Sequence, residues 1–258
     1  MRRLDAETVL AAAAQWVWVP DEAVTTETDD FLLVAYPSYY SSPTQVPRTD
    51  SDRSGAELLE EVRARTAELG RGRVEWRVDD RTRPADLEPA LLAAGAVINE
   101  ELLVLARPLV GWEAPPTEVD VRPVVDRATL EDWHHVQTSV FGGTRPDDSA
   151  FEVELERGAA QVRAGTGMSV VGYLDGSPVG AAGVSLVDEW ARLWGGSTLP
   201  EARGRGVYRA MTTARAAWAR EHGATTALVK GRVDTSAPIL GHAGFTAYGE
   251  ERWYFLDV

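Results

Sequence analysis

From Val207 to His222 the apolar positions recur at 207, 210, 211, 214, 217 and 218, a single stripe along a helix, and Gly223 stands where a helix C-terminus is capped. The same spacing predicts helices over ATLEDWHHVQTSVF, where Trp133, Val136, Val140 and Phe141 form the packing stripe, and over SAFEVELERGAAQVRA. Around these helices the pattern changes to strand. VDVRPV reads as one strand, MSVVGYLDGSPVGAAGVSLV as a hairpin turning at Asp175-Gly176, and WARLWGGSTL as a further strand after Asp188-Glu189. ATTALVKG is then a strand, SAPILGHAG a short helix closing at Gly244, and FTAYGEERWYFLDV strand material with Gly249 at a bend or bulge.

The first half repeats the end of this pattern. GAELLEEVRARTAELG is helical, RGRVEWRV a strand, PADLEPALLAAG a short helix and AVINEELLVLAR a strand. A shift of 149 places Gly55 on Gly204, Pro89 on Pro238, Gly95 on Gly244 and Glu101 on Glu250, so a helix-strand-helix-strand unit occurs twice. RPLVGWEAPPTEVDVRP, with Pro115-Pro116 and little periodicity, reads as the linker, which puts domains at residues 1–115 and 116–258.

Composition narrows the function. The formal charge of −14 repels phosphate backbones, so nucleic acid is not an expected partner; it serves either solubility or the steering of a cationic substrate. The absence of cysteine excludes disulfides, thiolate metal sites and a cysteine nucleophile, and no metal site is expected. His134 and His135 are adjacent on a helix and point to different faces, which argues against a shared metal. MRRLDAETVLAAAAQWVWVP is interrupted by Asp5 and Glu7 and reads as an amphipathic first helix rather than a signal sequence. No run approaches the ~18 to 20 apolar residues of a membrane span, so a cytoplasmic protein is expected, as monomer or homodimer.

PEARGRGVYRAM, Pro200 to Met211, joins a strand to a helix through two glycines and two arginines. Such a turn presents the unpaired first N–H groups of the helix with the positive end of its dipole behind them, an anion site. Gly204 and Gly206 let the backbone approach a phosphate oxygen, and Arg203 and Arg205 add charge-assisted hydrogen bonds. A P-loop would need GxxxxGK and a dinucleotide fold GxGxxG; neither pattern is met. No GxSxG or HExxH occurs.

In this order of elements, residues 119 to 258 resemble the GNAT superfamily of acyl-CoA-dependent N-acyltransferases. The family's phosphate motif is Gln or Arg, two residues, Gly, one residue, then Gly or Ala, and Arg203 to Val207 fit its first five places. Gly244-Phe245 resembles its recurrent Gly-Phe. The resemblance implies an α+β fold with a mixed sheet: tandem GNAT-like domains, each a mostly antiparallel twisted sheet flanked by helices. It implies acetyl-CoA as cofactor, with its diphosphate on Arg203, Gly204, Arg205, Gly206, Val207 and Tyr208. The pantetheine arm would pair with Ser197, Thr198 and Leu199, whose N–H groups also serve the oxyanion, while Gly195-Gly196 would form a bulge that splays the strand. The segment from Asp132 to Pro146 would border the acceptor pocket, with Glu131, Asp132, Asp147 and Asp148 either meeting a cationic substrate or merely solvated.

Three positions depart from the family. Tyr208 stands where Gly or Ala is usual, Arg192 where many members carry a glutamate base, and Leu240 where a tyrosine acid is usual. Glu189 is then the nearest candidate base, with Asp188 beside it, and His242, Tyr208 and Tyr248 are candidate acids. The first half has TDSDRSGAELL in place of the arginine-glycine turn, the mark of a degenerate domain without a cofactor site. The expected activity is acetyl transfer to a primary amine of a small molecule; the alternatives are a non-catalytic acyl-CoA-binding sensor or scaffold, and a transferase of longer acyl groups.

Overall fold

The computed structural model describes residues 4–37, 40, 44–113 and 116–258. The expected boundary near 115 falls on residues 114 and 115, outside the described ones. The elements of the first half are α1 (Ala6–Ala14), β1 (Val24–Glu27), β2 (Phe31–Ala35), β3 (Thr44–Thr49), α2 (Gly55–Glu68), β4 (Arg73–Asp79), α3 (Leu87–Ala93) and β5 (Val97–Pro108). Those of the second are β6 (Asp120–Pro123), α4 (Arg127–Phe141), α5 (Asp148–Ala164), β7 (Gly167–Leu174), β8 (Ser177–Val187), β9 (Trp190–Thr198), α6 (Val207–Glu221), β10 (Thr226–Arg232), α7 (Ser236–His242) and β11 (Thr246–Asp257). Adding 149 to the bounds of α3 and β5 gives those of α7 and β11 residue for residue. β1, β2 and β3 were not expected from the pattern; they are short, and FLLVA and TQVPRT carry no alternation.

The chain forms two compact units, each assembled from separated stretches. One consists chiefly of Leu105–Lys230 and Ile239–Thr246. In it β6, β7, β8 and β9 pair antiparallel in sequence order, and β9 then pairs parallel with β10. Asp175 and Gly176, with φ of 52° and 79°, make the expected tight turn between β7 and β8. Helices cover both faces of this sheet. Ala181 packs on Val136 of α4, while its neighbour Gly180 faces α6 so closely that a Cβ would lie 2.5 Å from Val207 Cγ1.

The other unit consists of Ala6–Val104, Gly231–Pro238 and Ala247–Val258. β1, β2 and β3 are antiparallel neighbours, β3 pairs parallel with β4, and β4 pairs antiparallel with β11 from Arg73↔Asp257 to Asp79↔Glu251. Each unit therefore contains antiparallel strands followed by a parallel pair that a helix connects, α2 in one and α6 in the other. Its core holds Phe31, Leu33, Leu58, Trp76, Tyr254 and Leu256, all at or below 2% exposure. Gly249, expected at a bend or bulge, lies within β11, where a Cβ would stand 2.7 Å from Leu10 Cδ2 of α1. No described helix is long and apolar enough to cross a membrane.

Glu88 ties α3 to β11. Arg252 donates to its two carboxylate oxygens at 2.6 and 3.1 Å, and the Tyr254 hydroxyl also donates to it. The Arg252 hydrogen bonds hold the Glu88 carboxyl below the ordinary glutamate value of 4.5. A carboxyl whose folded pKa is depressed contributes stability above its unfolded pKa, and that contribution disappears as pH falls through the folded one. Denaturant unfolding of Glu88→Gln should therefore show a deficit against the wild type at pH 7 that narrows as pH drops below 4.5. A deficit unchanged at low pH contradicts this.

Candidate active site

β9 leads through a single 3-10 turn at Pro200–Ala202 into the arginine-glycine stretch and α6. Gly204 and Gly206 have φ of 77° and 82°, a region where side chains are strained, and Gly206 is the N-cap of α6. No side chain caps this helix, and its first turn holds no acid. Its leading N–H groups have no partner within the helix and follow a turn in which residues 204 and 206 are glycines. Nothing lies within 4 Å of where a Gly204 Cβ would be.

Three exposed guanidinium groups surround this end. Arg203 Nε donates to the Thr198 carbonyl at 3.4 Å, Arg205 pairs with Asp175 of the hairpin at 3.6 Å, and Arg209 Nη2 comes to 3.8 Å from the Cβ position of Gly206. Cations on a first turn oppose the helix dipole, so their gathering there favours an anion between them. Arg209 was missed in the sequence because it sits outside the motif.

The equivalent helix start in the other unit is closed by the chain itself. Ser54 and Glu57 form a capping box on α2, and the Gly55 N–H donates to Asp86 Oδ1 at 3.0 Å. Gly55 serves close packing: a Cβ would meet Leu87 Cα at 2.7 Å.

β9 and β10 pair only from Trp190↔Thr226 to Leu193↔Val229, although both strands continue, β9 to Thr198 and β10 to Arg232. They part where β9 bulges. Against β8, Ala181 faces Ser197 and Gly183 faces Trp194, so Gly195 and Gly196 both stand opposite Ala182. Gly195 has φ of 62°. Alternation is broken there: the Trp194 ring lies toward Trp133 of α4, and the Gly195 Cβ position also faces α4, at 3.4 Å from Gln137 Nε2.

Tyr208 fits this bulge. Its ring lies against Gly196, whose Cβ would be 2.8 Å from Tyr208 Cε2. The bulk that departs from the motif is accommodated by a glycine on β9. Of the three pairing residues expected on the strand, Leu199 donates its N–H to Val179 at 2.9 Å and Ser197 hydrogen-bonds through its hydroxyl to Ala181 at 3.2 Å. In an antiparallel ladder the intervening residue points the other way, so the Thr198 N–H is turned to the edge beyond the last pairs of β10. Its buried Oγ1 has no hydrogen-bond partner among the described residues. Gly204's open surroundings, the uncapped helix, the three arginines and this orphaned hydroxyl together fit a ligand with a diphosphate and an amide-bearing arm, as coenzyme A has.

The structure does not bring every candidate here. Glu189 is exposed before the first residue of β9. It stands six positions before Gly195, roughly 20 Å along an extended strand at ~3.3 Å per residue, which is too far for proton transfer at the bulge. His242 is exposed on the last turn of α7, next to Ala243, whose carbonyl accepts from Arg107. Tyr248 lies on β11, within the other unit. Arg192 is buried beside Leu228 of β10, and burial lowers its pKa.

The acids expected near the acceptor have local partners. Asp132 accepts from the Tyr173 hydroxyl at 2.6 Å, Asp147 caps α5, Glu131 meets Arg127 at 3.3 Å and Asp148 meets Arg145 at 3.1 Å. Behind the bulge, Arg215 of α6 is 1% exposed and its pKa is pushed down to about 10 by burial. Arg215 is not among the apolar positions of the stripe read from the sequence, so its burial was not expected.

Residues 129–238 match the model of the Acetyltransferase (GNAT) family. A GCN5-related N-acetyltransferase from Kribbella flavida superposes with a TM-score of 0.68 at 17% identity, covering 97% of this chain and 94% of that one. One from Sphaerobacter thermophilus gives 0.62 at 14% identity, over 98% and 85%. A tandem GNAT protein from the clavulanic acid biosynthesis pathway, without AcCoA, gives 0.60 at 14% identity, over 96% and 87%. These are likenesses of fold. No curated protein matches.

The fit between Tyr208 and Gly196 predicts a coupling. Gly196→Ala should destabilise the protein by about 1 to 3 kcal/mol through overpacking in the wild type, and by much less in a Tyr208→Ala background. Denaturant unfolding of the four proteins checks it; additive effects would contradict the contact.

Proposed function

We infer that this protein, whose residues 129–238 match the Acetyltransferase (GNAT) family model, transfers an acetyl group from acetyl-coenzyme A to a primary amine of a small molecule, by direct attack on the thioester. The observation that carries the reading is the uncapped, acid-free start of α6, set among Arg203, Arg205 and Arg209 beside the parting of β9 and β10. Bound acetyl-coenzyme A supplies an activated thioester with a thiolate leaving group.

The chain's own groups divide the remaining work. The first N–H groups of α6, with Arg203 and Arg205, hold the diphosphate. Thr198 pairs through its N–H with the amide-bearing arm, and its Oγ1 gains the partner it lacks. Main-chain N–H groups at the bulge face the developing oxyanion. The Tyr208 hydroxyl, beside Gly196, is the group placed to give a proton to the departing sulfur and to regain one from water.

An alkylammonium acceptor must lose a proton first, which costs about 4 to 5 kcal/mol at pH 7. With Glu189 far from the bulge and Arg192 at the family's base position, we assign this proton to solvent. Positioning and the oxyanion site then provide most of the acceleration.

The same remoteness of Glu189 favours a second reading, a binder of acyl-coenzyme A without turnover. Incubation with acetyl-coenzyme A and a panel of amines, followed by thiol release, separates the two. Transfer should occur, and its kcat/KM should climb about tenfold per pH unit toward the pKa of the amine. A plateau near pH 7 would reveal a base on the protein, and silence across the panel despite coenzyme binding would favour the binder.

A further inference from the structure

The bulge of β9 is held from both faces of its sheet. From α4, Gln137 Nε2 donates to the Gly195 carbonyl at 2.5 Å and to Ser197 Oγ at 3.3 Å. From α6, Arg215 Nη1 donates to the Trp194 carbonyl at 3.2 Å and to the Gly183 carbonyl at 2.8 Å. Arg215 is steadied in turn by its own helix, through Met211 O at 3.2 Å and Thr212 Oγ1 at 3.2 Å. Two successive peptides are thus pinned in opposite directions, Trp194–Gly195 toward α6 and Gly195–Gly196 toward α4.

Peptide planarity converts this into a direction for a donor. In a trans peptide the N–H points opposite to the carbonyl, so drawing the Gly195 carbonyl to Gln137 turns the Gly196 N–H away from α4. That side holds the Tyr208 ring, which lies on Gly196. Glycine at 195, with its φ of 62°, and at 196 would otherwise leave this stretch loosely specified. Burying a guanidinium that bonds only to carbonyls and a hydroxyl is unfavourable, and its recurrence at the bulge peptides indicates what the burial secures.

We propose that Gln137, opposed by Arg215, is a positioning residue that clamps the Trp194–Gly195–Gly196 peptides and aims the Gly196 N–H at the oxyanion of acyl transfer. The proposal rests on the acyltransferase reading above. Neither residue touches the reacting atoms; both act through the backbone. Gln137 is the better handle because it is only partly buried, whereas replacing Arg215 would also disturb the interior of the unit.

The test uses the full chain in two states. In the coenzyme-free protein, Gln137→Leu should move the Gly195 carbonyl ¹³C resonance upfield as its hydrogen bond is lost, with the fold retained by circular dichroism. Gln137→Glu should show the same displacement at neutral pH and lose it as the introduced carboxyl protonates and becomes a donor. With acetyl-coenzyme A and an accepted amine, Gln137→Leu should lower kcat about 10- to 100-fold while KM for the coenzyme stays within about threefold. An unmoved carbonyl resonance, or an undiminished kcat in a protein whose wild type turns over, overturns the proposal. A parallel loss of coenzyme affinity and thermal stability also overturns it, since that marks general disruption. If the wild type transfers nothing although the resonance responds to Gln137, the acyltransferase reading fails, and the catalytic purpose of the clamp fails with it.

Discussion

The start of α6, which no side chain caps, is the constraint around which the site is arranged. A helix start needs acceptors, and they usually come from a capping side chain or a nearby carboxylate. Here Gly204 and Gly206 before the helix have positive φ, the first turn has no acid, and Arg203, Arg205 and Arg209 stand on or beside the turn. The arrangement is electrostatically one-sided until an anion enters. The equivalent helix start of the other unit shows the opposite solution: Ser54, Glu57 and Asp86 supply the acceptors from within the chain. The helix of the parallel pair thus starts uncapped by side chains in one unit and capped from within the chain in the other.

The strand before α6 carries the second half of the arrangement. β9 departs from β10 because two glycines stand opposite one residue of β8, and the resulting bulge is fixed rather than loose. Gln137 and Arg215 hold it from its two faces, and Tyr208 fills the space that Gly196 leaves. The tyrosine that breaks the usual small-residue pattern therefore does not lie across the phosphate turn. Its hydroxyl comes to 3.5 Å from the Cβ position of Gly196.

The parts of the fold that local chemistry dictates were readable in the sequence. The stripe of α6, the Asp175-Gly176 hairpin and the glycine turn follow from patterns within about 15 residues, and the repeat of α3 and β5 shows in the matching glycine and proline positions 149 residues on. What depends on distant partners was not readable. Gly249 looked like a bend and proved to be the contact point for Leu10. Glu189 was chosen for its nearness in sequence, yet a strand carries it away from the bulge. Gln137 and Arg215 lie 58 and 32 positions from the Gly195 and Gly183 carbonyls that they hold, so nothing local signalled their role. The assembly of one compact unit from separated stretches, in which β11 joins β4, is likewise a property of pairing between distant parts of the sequence.

The measurement closest to the central claim is calorimetric titration of the protein with coenzyme A at several salt concentrations, alongside a variant in which Arg203 and Arg205 are alanine. The account predicts binding to the wild type that weakens as salt rises and a marked loss of affinity in the variant, because the diphosphate sits on the N–H groups of α6 with guanidinium help. Absence of binding heat in the wild type at millimolar coenzyme, or affinity untouched by removal of both arginines, would contradict it.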